Sequence, residues 1–209
     1  MGGSFITFEG GEGTGKSTQL KLLANSLILR GLHVLQTREP GGTPEAESLR
    51  NLLVNGDTSR WTAEAEALLN YAARDSHLQQ VIRPALNSGG VVMCDRFMDS
   101  TRAYQGYAGN CSMKLLDTLE TMIVGATRPH LTLIFDIDPV EGLRRAKSRG
   151  GGTEDRYERK GLDFHKKLRS GFLQIAKLDS SRCRLIDAHG SIEEVSSRVN
   201  EAVGHLLNG

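Results

Sequence analysis

Short apolar runs and longer segments of helical spacing take turns along the chain. Phe5-Ile6-Thr7-Phe8 is a β-prone run that stops at Gly10-Gly11, and from Lys16 the residues Leu20, Leu23 and Leu27 recur at helical spacing until Gly31. This predicts strand, glycine loop, helix. His33-Val34-Leu35-Gln36-Thr37 predicts a second strand, closed by the turn residues Pro40-Gly41-Gly42. Helical patterning follows from about Glu45 to Leu53 and from Thr62 to about Leu86, until Gly89-Gly90. Val91-Val92-Met93-Cys94 and Leu131-Thr132-Leu133-Ile134-Phe135 end on Asp95 and Asp136, and such runs suit central strands covered on both faces. Cys183 to Ile186 predicts a fifth strand. Ser191-Ile192-Glu193-Glu194 fits a capping box that opens a last helix, with Ile192, Val195, Val199, Val203 and Leu206 as its apolar face.

Strands alternating with helices at this spacing predict an α/β fold, a five-stranded parallel sheet with helices on both faces. Ligands in such sheets bind at the carboxyl ends of the strands. A length of 209 residues suits one domain over 1–209. The 26 basic and 25 acidic residues leave a net charge of +1, which argues against a nucleic-acid surface. The start of the chain lacks the basic and apolar regions of a signal peptide, and no 18-residue apolar stretch occurs, so no membrane association is expected. Three cysteines without CxxC spacing read as reduced thiols, and the expected location is cytoplasmic.

Gly10-Gly11-Glu12-Gly13-Thr14-Gly15-Lys16-Ser17 fits GxxxxGK[ST] between a strand and a helix, the context of a phosphate-binding loop. Glycines let successive N–H groups face phosphate oxygens, and the helix N-terminus adds a favourable dipole. Residues Gly10 to Thr18 would hold ATP, Lys16 would meet the β and γ phosphates, and Ser17 would ligate Mg²⁺. The loop serves motor, signalling and transfer enzymes alike. Arg38 and Arg96, at the ends of two strands, and Arg74 on the helix between them converge on this mouth if the strands are parallel. Three cations there suit an acceptor carrying its own phosphate. A kinase for a different small acceptor and a nucleotide-dependent switch are the rival readings.

Phe8-Glu9-Gly10, the phosphate loop, Arg38-Glu39-Pro40-Gly41-Gly42-Thr43, Tyr71-Ala72-Ala73-Arg74, Asp95-Arg96-Phe97 and Ser100 through Tyr107 together resemble thymidylate kinases, and the likeness runs through almost the whole chain. The resemblance implies the P-loop NTPase fold and transfer of the γ-phosphoryl of ATP to dTMP, giving dTDP on the way to dTTP. It implies that Arg38, Arg74 and Arg96 hold the dTMP phosphate beside Glu39 and Pro40. Ser100, Thr101 and Gln105 would border the thymine and Tyr104 the deoxyribose. Asp95 would organise Mg²⁺, Glu9 is counted with the catalytic group, and a homodimer is implied.

Arg144-Arg145-Ala146-Lys147-Ser148-Arg149 leads into Gly150-Gly151-Gly152, and three residues without side chains predict a mobile lid over about 145–157. Phosphoryl transfer needs charge near the γ-phosphate, and the loop supplies no cation besides Lys16. The resemblance implies that this cation comes from the lid, with Arg149 in that role and Arg145 and Arg156 as its neighbours. Asn70 departs from the family pattern, which usually has phenylalanine stacking on the base at that position. Tyr71 is a poor substitute, since adjacent helix positions differ by about 100°.

Overall fold

The computed structural model describes residues 2–148 and 156–207. Among the described residues five strands form one parallel sheet: β1 (Ser4–Gly10), β2 (Val34–Arg38), β3 (Val91–Asp95), β4 (Leu131–Asp136) and β5 (Cys183–Asp187), in the order β2-β3-β1-β4-β5. Each expected strand is present: β1 is longer by three residues, β3, β4 and β5 by one each, and β2 is shifted one residue onward. Register places Phe8 beside Asp95 and Arg38 beside Asp95 on the other side, so the charged ends of β1, β2 and β3 finish together.

Alternation along the strands separates two layers. Ile6, Phe8, Met93 and Leu133 pack against α1 (Lys16–Leu29) and the carboxyl-terminal helix Ile192–Leu207. Phe5, Val92 and Cys94 face the opposite side, where Ala67 and Tyr71 of α3 (Ala63–His77) and Leu78 just beyond it meet them, and α2 (Pro44–Val54) packs on α3. Ile134 and Cys183 extend this second layer toward Leu168 and Phe172 of a helix over Leu162–Leu178. Burial of these side chains is the main force holding the sheet between its helices.

The predicted long helix from Thr62 is real but composite: α3 runs on through a π-helical segment, Leu78–Ile82, into α4 (Arg83–Asn87). After β3, α5 (Met98–Thr101) passes into a second π-helical segment, Arg102–Ala108, which carries Tyr104 and Gln105. Extra residues in a helical turn re-aim side chains, and such segments often sit at functional sites. The remaining helices are α6 (Met113–Leu119), α7 (Pro139–Ser148), α8 (Leu162–Leu178) and α9 (Ile192–Leu207).

The capping box at α9 is present: Ser191 N–H donates to Glu194 Oε2 at 2.7 Å, and Glu194 N–H donates to Ser191 Oγ at 3.2 Å. One expected member of its apolar face is displaced. Val195, Val199 and Val203 are buried, whereas Ile192 is 54% exposed and meets α1 through its carbonyl, which accepts from Gln19 Nε2 at 2.9 Å.

Candidate active site

The carboxyl ends of β1, β2 and β3 frame a cleft of about 280 Å³. The phosphate loop forms one wall. Gly15, with φ 89°, sits immediately before α1, and Gly13 takes φ 68°. A Cβ at Gly13 would come within 1.9 Å of the Gly142 carbonyl on α7, so the loop and α7 touch backbone to backbone only because both positions are glycine.

Lys16 folds over the loop, its Nζ donating to the Gly11 carbonyl at 2.7 Å and to Thr14 Oγ1 at 3.2 Å. Burial first, and the nearby Arg96 cation second, hold its ammonium down at about 8. An anion placed here would relieve both effects. Ser17 Oγ donates to Asp95 Oδ2, bringing a hydroxyl and a carboxylate together where loop and β3 meet.

The acceptor wall is built around arginines. Arg96 adopts φ 68°, a left-handed conformation that non-glycine residues rarely hold unless surrounding contacts enforce it. Those contacts are present: its N–H donates to the Phe8 carbonyl, and its guanidinium donates to the Gly10 carbonyl at 2.9 Å, Ser100 Oγ at 3.3 Å and Glu12 Oε1 at 3.1 Å. Burial opposes charge on Glu12, but Arg96 and Lys16 outweigh it and hold the carboxyl down at about 2. Arg74 is 1% exposed and donates to Glu39 Oε2 at 2.7 Å and Thr101 Oγ1 at 3.0 Å, leaving its buried Nη1 without a partner among the described residues. The same guanidinium lies against the Tyr71 and Phe97 rings, 4.5 and 5.0 Å from their centroids. His77 Nδ1 lies 3.0 Å from Glu39 Oε1 and its Nε2 lies 2.7 Å from Thr37 Oγ1, so Glu39 is clamped from both sides. Arg38 is the exposed member of the trio and pairs with Glu47 at 3.1 Å.

Most expected site residues share this one cleft: Glu12 through Ser17, Arg38, Glu39, Pro40, Asn70, Arg74, Asp95, Arg96, Ser100, Thr101, Tyr104 and Gln105. Gly11 instead lines a smaller cavity behind the loop, while Gly10 is buried beside β4 and Thr18 is exposed on the first turn of α1. Glu9, expected in the catalytic group, is fully buried and does not line the cleft; it accepts from Phe97 N–H at 2.7 Å and Ser100 Oγ at 2.5 Å and so shapes the turn after β3. Burial, reinforced by Asp99, pushes its carboxyl up to about 8.

Arg149 lies outside the described residues, as does most of the expected lid. Its two expected neighbours are committed elsewhere. Arg145 donates to Glu141 Oε1 at 2.8 Å and the Ala188 carbonyl at 3.0 Å, and Arg156 is fully buried against Glu66 and the Leu53, Asp57 and Thr58 carbonyls. Asn70 borders the cleft with Nδ2 given to the Glu66 carbonyl at 2.8 Å, while Tyr71 points away into the core. Sequence reasoning missed Arg50, Val54, Phe97, Tyr157 and Glu158 at the cleft. Tyr157 follows Asp155-Arg156 directly, which was its available signal.

A phosphate loop facing a second wall of arginines across one cleft defines a P-loop phosphotransferase with a phosphorylated acceptor. The thymidylate kinase family model matches residues 8–199. A thymidylate kinase of Caulobacter vibrioides is 51% identical over 205 residues, covering 98% of this chain and 98% of the relative. One from Bradyrhizobium sp. (strain ORS 278) is 51% identical over 206 residues, covering 98% and 91%. The crystal structure of thymidylate kinase from Ehrlichia chaffeensis superposes with a TM-score of 0.79 at 35% identity, covering 98% of this chain and 99% of that one. The chain belongs to the thymidylate kinase family.

Proposed function

We propose that the protein transfers the γ-phosphoryl group of ATP to the 5′-phosphate of dTMP, giving dTDP and ADP. The observation that carries this reading is the arginine wall: Arg38, Arg74 and Arg96 line the same cleft as the phosphate loop. A nucleoside without a phosphate would need no such wall.

In this reading the loop amides and Lys16 hold the donor phosphates, and the three arginines hold the acceptor phosphate in line with them. Ser100, Thr101 and Gln105 border the thymine, Asn70 lies at its edge, and Tyr104 borders the deoxyribose. The acceptor oxygen is already anionic near neutral pH and needs little help from a base. Positioning and charge stabilisation therefore supply most of the catalysis. Arg149 approaches from the lid to meet the transferring group, and closure excludes water that would otherwise hydrolyse ATP.

Magnesium belongs to the proposal. The Ser17 hydroxyl and Asp95 carboxylate are hard oxygen donors that fit Mg²⁺, and nucleotide phosphates and water would complete its shell. When bound, the ion neutralises charge on the donor phosphates. A homodimer belongs to the same proposal. Buried free thiols at Cys94, Cys111 and Cys183 are consistent with a reducing, cytoplasmic setting. ADP release in Mg-ATP with and without dTMP tests the reading: strict dependence on dTMP supports it, and equal release without acceptor refutes it.

A further inference from the structure

Glu66, on α3, is 2% exposed and lies between the acceptor end of the cleft and the segment that follows the lid. Its carboxylate gathers donors from three directions. Gln105 Nε2 donates to Oε2 at 2.7 Å, the Tyr157 hydroxyl donates to the same oxygen at 3.1 Å, and Arg156 Nη2 donates to Oε1 at 2.5 Å. Lys160 Nζ stands 3.7 Å from Oε1. The two cations balance the buried charge, which a lone carboxylate at this depth would not tolerate.

An ionised carboxylate only accepts hydrogen bonds, so the Gln105 amide can face it only with its NH₂ end. The other end is thereby assigned by chemistry. Gln105 lines the cleft, and its Oε1 has no donor among the described residues. We infer that Glu66 is a positioning residue that sets base selectivity, holding the Gln105 amide with NH₂ inward so that a carbonyl oxygen faces the acceptor base. Such an oxygen favours a pyrimidine whose N3 carries a hydrogen over one whose N3 presents a lone pair. Thymine has the hydrogen and cytosine has the lone pair. Rotating the amide to suit cytosine would turn Oε1 against the Glu66 carboxylate, an arrangement of two acceptors with no proton between them. Sites built around one buried hydrogen-bond pattern reject the mismatched ligand by large factors, because the mismatch leaves a polar group unpaired.

The inference rests on the dTMP reading and deepens it. Its test is kcat and KM for dTMP and dCMP in wild type, Glu66→Gln and Glu66→Asp. Glutamine at 66 offers both a donor and an acceptor, so the Gln105 amide is free to rotate. The dTMP:dCMP ratio of kcat/KM then falls by about 10- to 100-fold, carried by a higher KM for dTMP and a lower one for dCMP, with KM for ATP unchanged. Aspartate keeps the charge beside Arg156, and with it the fold, but withdraws the carboxylate from Gln105. The same ratio falls in that variant too, so a Glu66→Gln protein that does not fold leaves the question answerable. A ratio that stays at the wild-type value in a folded variant, or equal losses on both substrates, overturns the inference and leaves Glu66 as an anchor for Arg156. Wild type that shows no preference for dTMP over dCMP overturns the underlying reading instead.

Discussion

Glu12 of the phosphate loop and Arg96 at the end of β3 form a 3.1 Å ion pair that joins the donor and acceptor halves of the cleft. Tyr104 adds its hydroxyl to the same Glu12 oxygen at 2.5 Å and lies under the Arg96 guanidinium, 5.0 Å from the ring centroid. Arg96 is thus oriented from three sides before any phosphate arrives, and orientation before reaction is what electrostatic catalysis requires.

Replacing Arg96 with alanine lowers kcat/KM by on the order of 10² to 10³, the loss expected for one preorganised donor at a transferring group. Arg96→Lys recovers little, since an ammonium cannot reproduce the planar fork that reaches Gly10, Glu12 and Ser100 together. Steady-state kinetics with dTMP varied checks both. Values near wild type would remove Arg96 from the acceptor site.

Lys16 titrates at about 8 in the free protein because burial, and then Arg96, disfavour its charge. Donor phosphates favour the charged form, so ATP binding raises this value. Between pH 8 and 9 binding therefore takes up a proton, and affinity for ATP declines as pH rises through 8. Calorimetric titration in buffers of different ionisation enthalpy measures the uptake. Lys16→Met abolishes it; uptake that persists in that variant would assign the proton elsewhere.

Glu9 carries a stability signature rather than a catalytic one. Its carboxyl titrates at about 8 in the folded chain and near 4.5 when unfolded, so between those values the folded state binds more protons. Stability from this group is present at low pH and is lost as pH rises through that window. Glu9→Gln keeps an acceptor for the Phe97 N–H and removes the titration. Thermal melts of the free protein from pH 5 to 8.5 are expected to fall more steeply for wild type than for Glu9→Gln, and parallel curves would contradict the assignment.

The sheet was readable from sequence because parallel central strands are continuous apolar runs, and β3 and β4 are such runs. The phosphate loop was readable because its chemistry lies in eight consecutive residues. Arg74 and Arg96 emerged through short local motifs. The buried roles of Glu66, Arg156 and His77 did not, since each depends on a partner at least 38 residues away: Arg156 on Glu66 across 90 and His77 on Glu39 across 38. Glu9 looked chemical for the opposite reason. A carboxylate next to a phosphate loop reads as reactive until the strand direction turns it inward toward Phe97 and Ser100.

Among the lid arginines, Arg145 is tied to Glu141 and to the Ala188 carbonyl, whereas Arg149 is proposed to meet the transferring group. Arg149→Ala lowers kcat by about 10²-fold or more with little change in KM for either substrate, while Arg145→Ala changes kcat by only a few fold. Single-turnover measurements separate chemistry from product release. Equal losses in the two variants would contradict the assignment.

The central claim is that one cleft serves a donor triphosphate and a thymidine monophosphate together. ADP formation from Mg-ATP, with dTMP, dUMP, dCMP, AMP, GMP and thymidine offered separately, tests it most directly. The account predicts strong turnover with dTMP, at least tenfold less with dCMP, AMP or GMP, and none above background with thymidine, which lacks the phosphate the arginines hold. Equal turnover with AMP or GMP, or ADP release that needs no acceptor at all, would contradict it.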